Sequence, residues 1–265
     1  MSKKSKKRND ANLTPTNQQK EYSQVENIQD KSPIVNQRTK IKYQLNINKR
    51  PLTEKQETFL KLALDKSVKM MLVSGPAGSS KTYISMYAGL ELMNQKKLSD
   101  VIYIRSAVES SNKSLGFLPG EYEDKLTPYL EPLYDKLEEL LPKGEIELLN
   151  KENRIEGKHV GFTRGANWNA KLIMIDEAQN MTFEELTTLM TRTGEFSKVF
   201  ICGDPFQSDI GIKSGFKDMF NLFNGPTHES NGIHTFEFGV EDIVRSELVK
   251  HIVKTLQEYS QPRKK

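Results

Sequence analysis

The stretch "GPAGSSKT", residues 75–82, decides how the rest of the chain is read. It departs at one place from the phosphate-loop pattern G-x-x-x-x-G-K-[ST]: Ser80 stands where that pattern has a glycine before the lysine. The apolar run "MMLVSG" (70–75) precedes it and the helical-looking "TYISMYAGLELMNQ" (82–95) follows, so the loop has the strand-to-helix setting that such a site needs. Gly75 and Gly78 let the backbone wrap so that consecutive amides face a β-phosphate, aided by the positive end of a helix starting near Lys81. Lys81 would reach the β and γ phosphates, and Thr82 would offer its hydroxyl to Mg²⁺. Gly75, Pro76, Ala77, Gly78, Ser79, Ser80, Lys81 and Thr82 together form the expected nucleotide cradle. Ser80 fits without strain if its φ is negative, as expected where a helix begins. The competing reading is an accidental glycine-rich turn.

Two further motifs point to hydrolysis. "LIMIDE" (172–177) closes an apolar run with adjacent carboxylates. Asp176 can hold Mg²⁺ through water while Glu177 polarises an attacking water, although acids in this place also serve as helix caps. "CGDPFQSD" (202–209) ends the next run, and Gln207 there can donate to a γ-phosphate oxygen while accepting from the lytic water. Its alternative is a polar turn organised by Asp204 and Pro205. Gln56, in the helix before the first strand, can read an adenine edge through its amide, or be a surface glutamine.

Working outward, short apolar runs recur at 70–75, 100–107, 171–177, 198–204 and 234–239, with helical stretches between most of them. Runs of this length suit strands buried on both faces, and their alternation with helices predicts an α/β fold with a mainly parallel sheet flanked by helices. Helical spacing after a Thr53 cap predicts a helix in "LTEKQETFLKLAL" (52–64). The segment 108–170 reads as an insertion beside the sheet, in which Pro128 and Pro132 should kink or divide a helix. Residues 1–46 are rich in Lys, Asn, Gln and Ser and are expected to be a disordered basic tail, leaving 47–265 as the folded domain.

At roughly 150 residues per domain, 265 residues leave room for one large domain or two small ones. Residues 1–50 carry 12 Lys or Arg against 4 Asp or Glu, a net +8, so the remainder carries −4 of the chain's total of +4. The basic charge is therefore concentrated in the tail, which suits nucleic acid, an acidic surface or simple solvation. Cys202 is the only cysteine, which excludes internal disulfides and thiolate clusters and fits a reducing cytoplasm. No run approaches the ~18 apolar residues of a membrane span, so no membrane partner is expected.

With these motifs in order, the chain resembles the PhoH-like family of ATPases over most of residues 50–258. The stretches that carry the resemblance are "SLGFLPGEYEDKLTPYLEPLYD" (114–135), "GFTRGANWNAKLIMIDEAQN" (161–180), "GDPFQSDIG" (203–211) and "VRSELVKHIV" (244–253). The first two are long and idiosyncratic, which makes the combination far more specific than a phosphate loop alone. The resemblance implies a RecA-like P-loop NTPase core related to superfamily-1 helicase motors, with ATP and Mg²⁺ as cofactors. It also implies RNA or single-stranded nucleic acid as partner and a homo-oligomeric ring, a hexamer by analogy. Ser80, "IRSAVES" (104–110) in place of the usual Arg-Pro pair and the basic tail depart from the family pattern and resemble trimmed versions encoded by bacteriophages.

Arg105, Arg164 and Arg245 lie on the family-like motifs. Related helicases complete their site with an arginine from a second motor domain, and a chain with one motor would take it from a neighbouring subunit. Arg245 is the first candidate for that role and Arg164 the second; surface or salt-bridged arginines are the alternative. The expected catalytic set is therefore Lys81, Asp176, Glu177, Gln207, Arg245 and Arg164. A reading from another class, an ATP-gated binding or assembly switch without motor activity, stays open. The four histidines show no metal-ligand spacing, and Cys202 and Trp168 read as core residues.

Overall fold

A computed structural model describes residues 41–106, 122–160 and 168–260. Strands β1 (Met70–Ser74), β2 (Asp100–Arg105), β3 (Ile155–His159), β4 (Lys171–Asp176), β5 (Lys198–Gly203) and β6 (Ile233–Glu237) form one sheet in the order β3-β2-β4-β5-β1-β6. Every pairing is parallel. Parallel neighbours need crossovers, and helices supply them: α1 (Glu54–Leu64), α2 (Lys81–Asn94), α3 (Tyr122–Leu140), α4 (Lys143–Lys151), α5 (Phe183–Met190), α6 (Phe216–Leu222), α7 (Pro226–Glu229) and α8 (Glu247–Ser260). With β1 between β5 and β6, the core is the expected α/β arrangement of a parallel sheet flanked by helices.

Alternation along each strand divides the core into two layers. Met71, Val73, Val101, Tyr103, Leu172, Met174, Phe200 and Cys202 lie in the layer that also holds Phe59 of α1 and Leu133 and Leu137 of α3. Leu72, Ile102, Ile104, Ile173, Ile175, Val199 and Ile201 lie in the other, with Leu186 of α5 and Phe216 of α6. Close approach of α2 to β4 requires a missing side chain: a β-carbon on Gly89 would come within 2.1 Å of Leu172 Cδ2.

Three expectations are revised. The folded domain takes in residues 41–46, because Ile41 and Leu45 are buried and Tyr43 and Ile47 pack partly against the same core. Asn94 pins this arm by accepting from Leu45 N at 2.7 Å and donating to Leu45 O at 2.9 Å. The rest of the expected tail lies outside the described residues. Secondly, α3 runs from Tyr122 to Leu140 as one helix despite Pro128 and Pro132. Burial of Leu133, Leu137 and Leu140 anchors its C-terminal half, and that burial outweighs the backbone bonds the prolines cannot make. Thirdly, the segment 108–170 contributes a strand: β3 pairs with β2 from Val101↔Ile155 to Arg105↔His159 and forms one edge of the sheet, with β6 at the other. The Thr53 cap is present as a full capping box with Gln56.

Candidate nucleotide-binding site

Residues 75–80 join the C-terminal end of β1 to the first turn of α2. Gly78 adopts φ 86°, and its face is covered by Arg245, whose Cδ would lie 3.2 Å from a β-carbon there. Ser80 is the residue before α2 and sits at φ 66°, ψ 22°. The expectation of a negative φ is therefore overturned. Helical geometry begins only at Lys81, and the residue that turns the loop into the helix needs the left-handed region, where a β-carbon costs on the order of 1 to 2 kcal/mol. Glycine would adopt this conformation without that cost.

Lys81 Nζ donates to Gly75 O at 2.7 Å and Pro76 O at 3.0 Å, which holds the amine across the mouth of its own loop. Ser79 Oγ donates to Pro76 O at 2.8 Å, and Ala77 N donates to Asp204 Oδ2 at 3.1 Å, so the end of β5 fixes the loop's first half.

The acidic motif meets this loop from β4. Thr82 Oγ1 donates to Asp176 Oδ1 at 3.0 Å, and Tyr103 Oη, reaching over from β2, donates to Asp176 Oδ2 at 2.9 Å. Burial, and then the neighbouring Asp176 carboxylate, hold the Tyr103 phenol far above its ordinary pKa, so it stays a neutral donor. A hydroxyl and a carboxylate 3.0 Å apart beside a phosphate loop form a hard-oxygen pair that suits Mg²⁺, which keeps most of its shell as phosphate oxygens and water. Among the described residues no cluster of three or more His, Cys, Asp or Glu side chains could chelate a metal unaided.

Glu177 follows at φ 52°, a left-handed residue at the end of a strand, the kind of strain that gathers at working sites. Arg105 Nη2 stands 3.6 Å from one of its oxygens, so that arginine is paired. Gln179 Nε2 donates to the other oxygen, and Gln179 Oε1 accepts from Asp204 N at 3.0 Å. Gln179 thereby joins the β4 motif to the β5 motif that carries Gln207, and it is a site residue that sequence reasoning missed. Its signal was the "DEAQN" spelling, which puts a long amide two residues after Glu177.

Gly78, Ser80, Lys81, Thr82, Asp176, Glu177, Gln179, Gln207 and Arg245 all line one cavity of about 450 Å³, so most of the expected set converges. Arg245 is there as part of its own chain: Val244 N donates to Gly78 O at 3.2 Å, and the arginine stem lies on Gly78. The turn before α8 thus returns to the loop of the same molecule, which favours a role for Arg245 within its own chain over the expected supply from a neighbouring subunit. Arg164 lies outside the described residues. Gln56 does not line the cavity. It is buried, its Oε1 accepts from Thr53 N at 3.1 Å, and its Nε2 has no hydrogen-bond partner among the described residues. Cys202 lies beneath the loop, 3.6 Å from Ser85 Oγ, where burial pushes its thiol up to about 12, so it is no nucleophile.

A family model described as PhoH-like protein matches residues 48–257, most of the chain. The chain belongs to the PhoH family. It is 35% identical over 215 residues to a PhoH-like protein of Mycobacterium tuberculosis, covering 80% of this chain and 59% of that one. To a PhoH-like protein of Bacillus subtilis it is 36% identical over 181 residues, covering 68% and 55%, and to protein PhoH of Escherichia coli 32% over 198 residues, covering 73% and 54%. The chain thus spans little more than half the length of these curated relatives. Among solved structures it is similar to the large terminase of a thermophilic bacteriophage, with a TM-score of 0.45, 12% identity and coverage of 77% of this chain and 50% of that one. A Bacteroides Pif1 bound to ADP-AlF4 gives a TM-score of 0.37, 17% identity and coverage of 81% and 48%.

Proposed function

We propose that this PhoH-family chain binds Mg²⁺-ATP at residues 75–82 and hydrolyses it, and that it uses the energy on RNA or single-stranded nucleic acid. The observation that carries the reading is the contact between Thr82 and Asp176 beside Lys81. It joins a metal-binding hydroxyl and a metal-binding carboxylate at the point where the β and γ phosphates of a nucleotide cradled by the loop would lie. Magnesium would supply charge neutralisation on those phosphates, held by Thr82 and Asp176.

The chain's own residues take the remaining roles. Lys81 neutralises the phosphates, and Glu177, held by Arg105 and Gln179, accepts a proton from the attacking water. Gln207 reports on the γ-phosphate, and the Gln179 bridge carries that report between β4 and β5. Arg245 stabilises charge on the transferring group from within the same chain. Gln56 lies outside the cavity that holds the phosphate loop, and its unpartnered Nε2 is the group it would offer to an adenine. The family membership and the basic residues 1–50 support the polynucleotide partner, and the family resemblance supports a homo-oligomeric ring, hexameric by analogy, in which Arg164 is the arginine left to cross a subunit boundary.

The test is ATP turnover with and without RNA, single-stranded DNA and duplex DNA. Stimulation by RNA or single strands supports the motor. ATP-dependent assembly with negligible turnover under every condition would replace it with a switch.

A further inference from the structure

Ser80 holds a conformation suited to glycine in the one loop where shape decides phosphate binding. The surroundings of that residue explain how the loop keeps its form. Arg50, on the arm that leads into α1, directs its guanidinium at the loop: Nη2 donates to Ser80 Oγ at 3.0 Å. The same planar group lies over the Tyr83 ring with Cζ 3.5 Å from the centroid, in the first turn of α2. Nη1 stands 3.6 Å from Glu139 Oε2 near the end of α3. The ion pair alone is partly exposed and adds little. A guanidinium that stacks on a ring and donates in its own plane is fixed in direction, which an ammonium on a flexible stem is not.

We propose that Arg50 is a positioning residue that holds Ser80 in its left-handed conformation and so keeps the phosphate loop in its binding form. The hydrogen bond exists only because residue 80 has a hydroxyl, so the tether and the strained residue belong together. Without Arg50, the strain at Ser80 lets the loop leave its binding form, and apparent affinity falls by the fraction of chains that remain competent. With glycine at that position the loop has little reason to leave, and the tether becomes dispensable. Glu139 extends the hold to α3, which ties the helix after β2 to the phosphate loop. This inference rests on the nucleotide reading of residues 75–82.

The experiment is a double-mutant cycle read by calorimetric titration of Mg²⁺-ADP into the full chain and into the Arg50→Ala, Arg50→Lys, Ser80→Gly and Arg50→Ala/Ser80→Gly variants. Arg50→Ala is expected to weaken ADP binding about tenfold, equivalent to ~1.4 kcal/mol, when Ser80 is present. In the Ser80→Gly background the same change should cost about twofold or less, a coupling of the size seen for contacting residues. Arg50→Lys should recover only a small part of the loss. An equal loss in both backgrounds, or no loss with Ser80 present, overturns the proposal. If the parent chain binds no ADP, the nucleotide reading fails by itself. The cycle is then read from urea unfolding of the same proteins, where coupling between residues 50 and 80 sustains the tether and additivity ends it.

Discussion

Tyr103 Oη donates to Asp176 Oδ2 at 2.9 Å while Thr82 Oγ1 donates to Asp176 Oδ1 at 3.0 Å, so both oxygens of the buried carboxylate proposed to hold Mg²⁺ are oriented by neutral hydroxyls. Tyr103→Phe removes one of them without changing shape. A hydrogen bond to a charged group contributes about 1.5 to 3 kcal/mol, so the variant is expected to unfold at lower urea by that order. It should also need more Mg²⁺ for half-maximal turnover, measured by titrating the metal at fixed ATP. Because the folded-state phenol is held above its unfolded pKa of 10.0, its contribution is full below pH 10 and falls as pH rises beyond it. The stability gap between parent and variant should therefore narrow above pH 10.

Glu177→Gln keeps the shape of the group that Arg105 and Gln179 hold and removes its capacity to take a proton. Turnover is expected to fall by about 10²- to 10⁴-fold with ATP affinity kept within a few-fold, checked by steady-state hydrolysis and calorimetry. Full turnover in this variant would remove Glu177 from the chemistry.

Arg245 lies on Gly78 of its own chain, and that position has a consequence for mixing experiments. Arg245→Ala is expected to cost about 10³-fold or more in turnover, the range for arginines that stabilise a transferring phosphoryl group. Mixing it with Lys81→Ala chains should restore nothing, because neither molecule then holds a complete site. Recovered activity would place the arginine across a subunit boundary.

Lys198 is buried at the start of β5, where its ammonium donates to Asp65 O at 2.8 Å and to Val68 O. Burial lowers its pKa from 10.5 to about 8. Between pH 8 and 10.5 the unfolded chain carries the proton and the folded chain does not, so this group makes stability rise with pH across that window. Lys198→Met lacks the effect. Urea unfolding of both proteins should show the parent gaining on the variant from about pH 8 to 10, and a constant difference would contradict the shift.

The fold was legible where physics leaves a strong local mark. Strands β1, β2, β4 and β5 have apolar centres because the inner sheet is covered on both faces, Phe236 and the flanking Phe238 mark the other edge strand, β6, and the helices between the strands announce the parallel crossovers. Strand β3 was not legible because an edge strand needs burial on fewer sides, and Glu156 and Lys158 interrupt its pattern. In the arm at 41–47 the alternation of Ile41, Tyr43, Leu45 and Ile47 was present but was masked by the polar composition around it. Within the site, Lys81, Thr82, Asp176 and Glu177 were readable from motif spacing. The left-handed turn at Ser80, the Gln179 bridge and the fold-back of Arg245 depend on backbone turns and long-range contacts that no local period encodes.

Lys81, Thr82 and Asp176 are proposed to hold a magnesium-bound triphosphate between them. Calorimetric titration of Mg²⁺-ATP into the folded chain and into Lys81→Ala tests it most directly. Saturable, stoichiometric heat in the parent, lost or weakened by about 10²-fold or more in Lys81→Ala and dependent on the metal, is the expected result. Absence of binding heat in the parent, or identical isotherms for the two proteins, would contradict it.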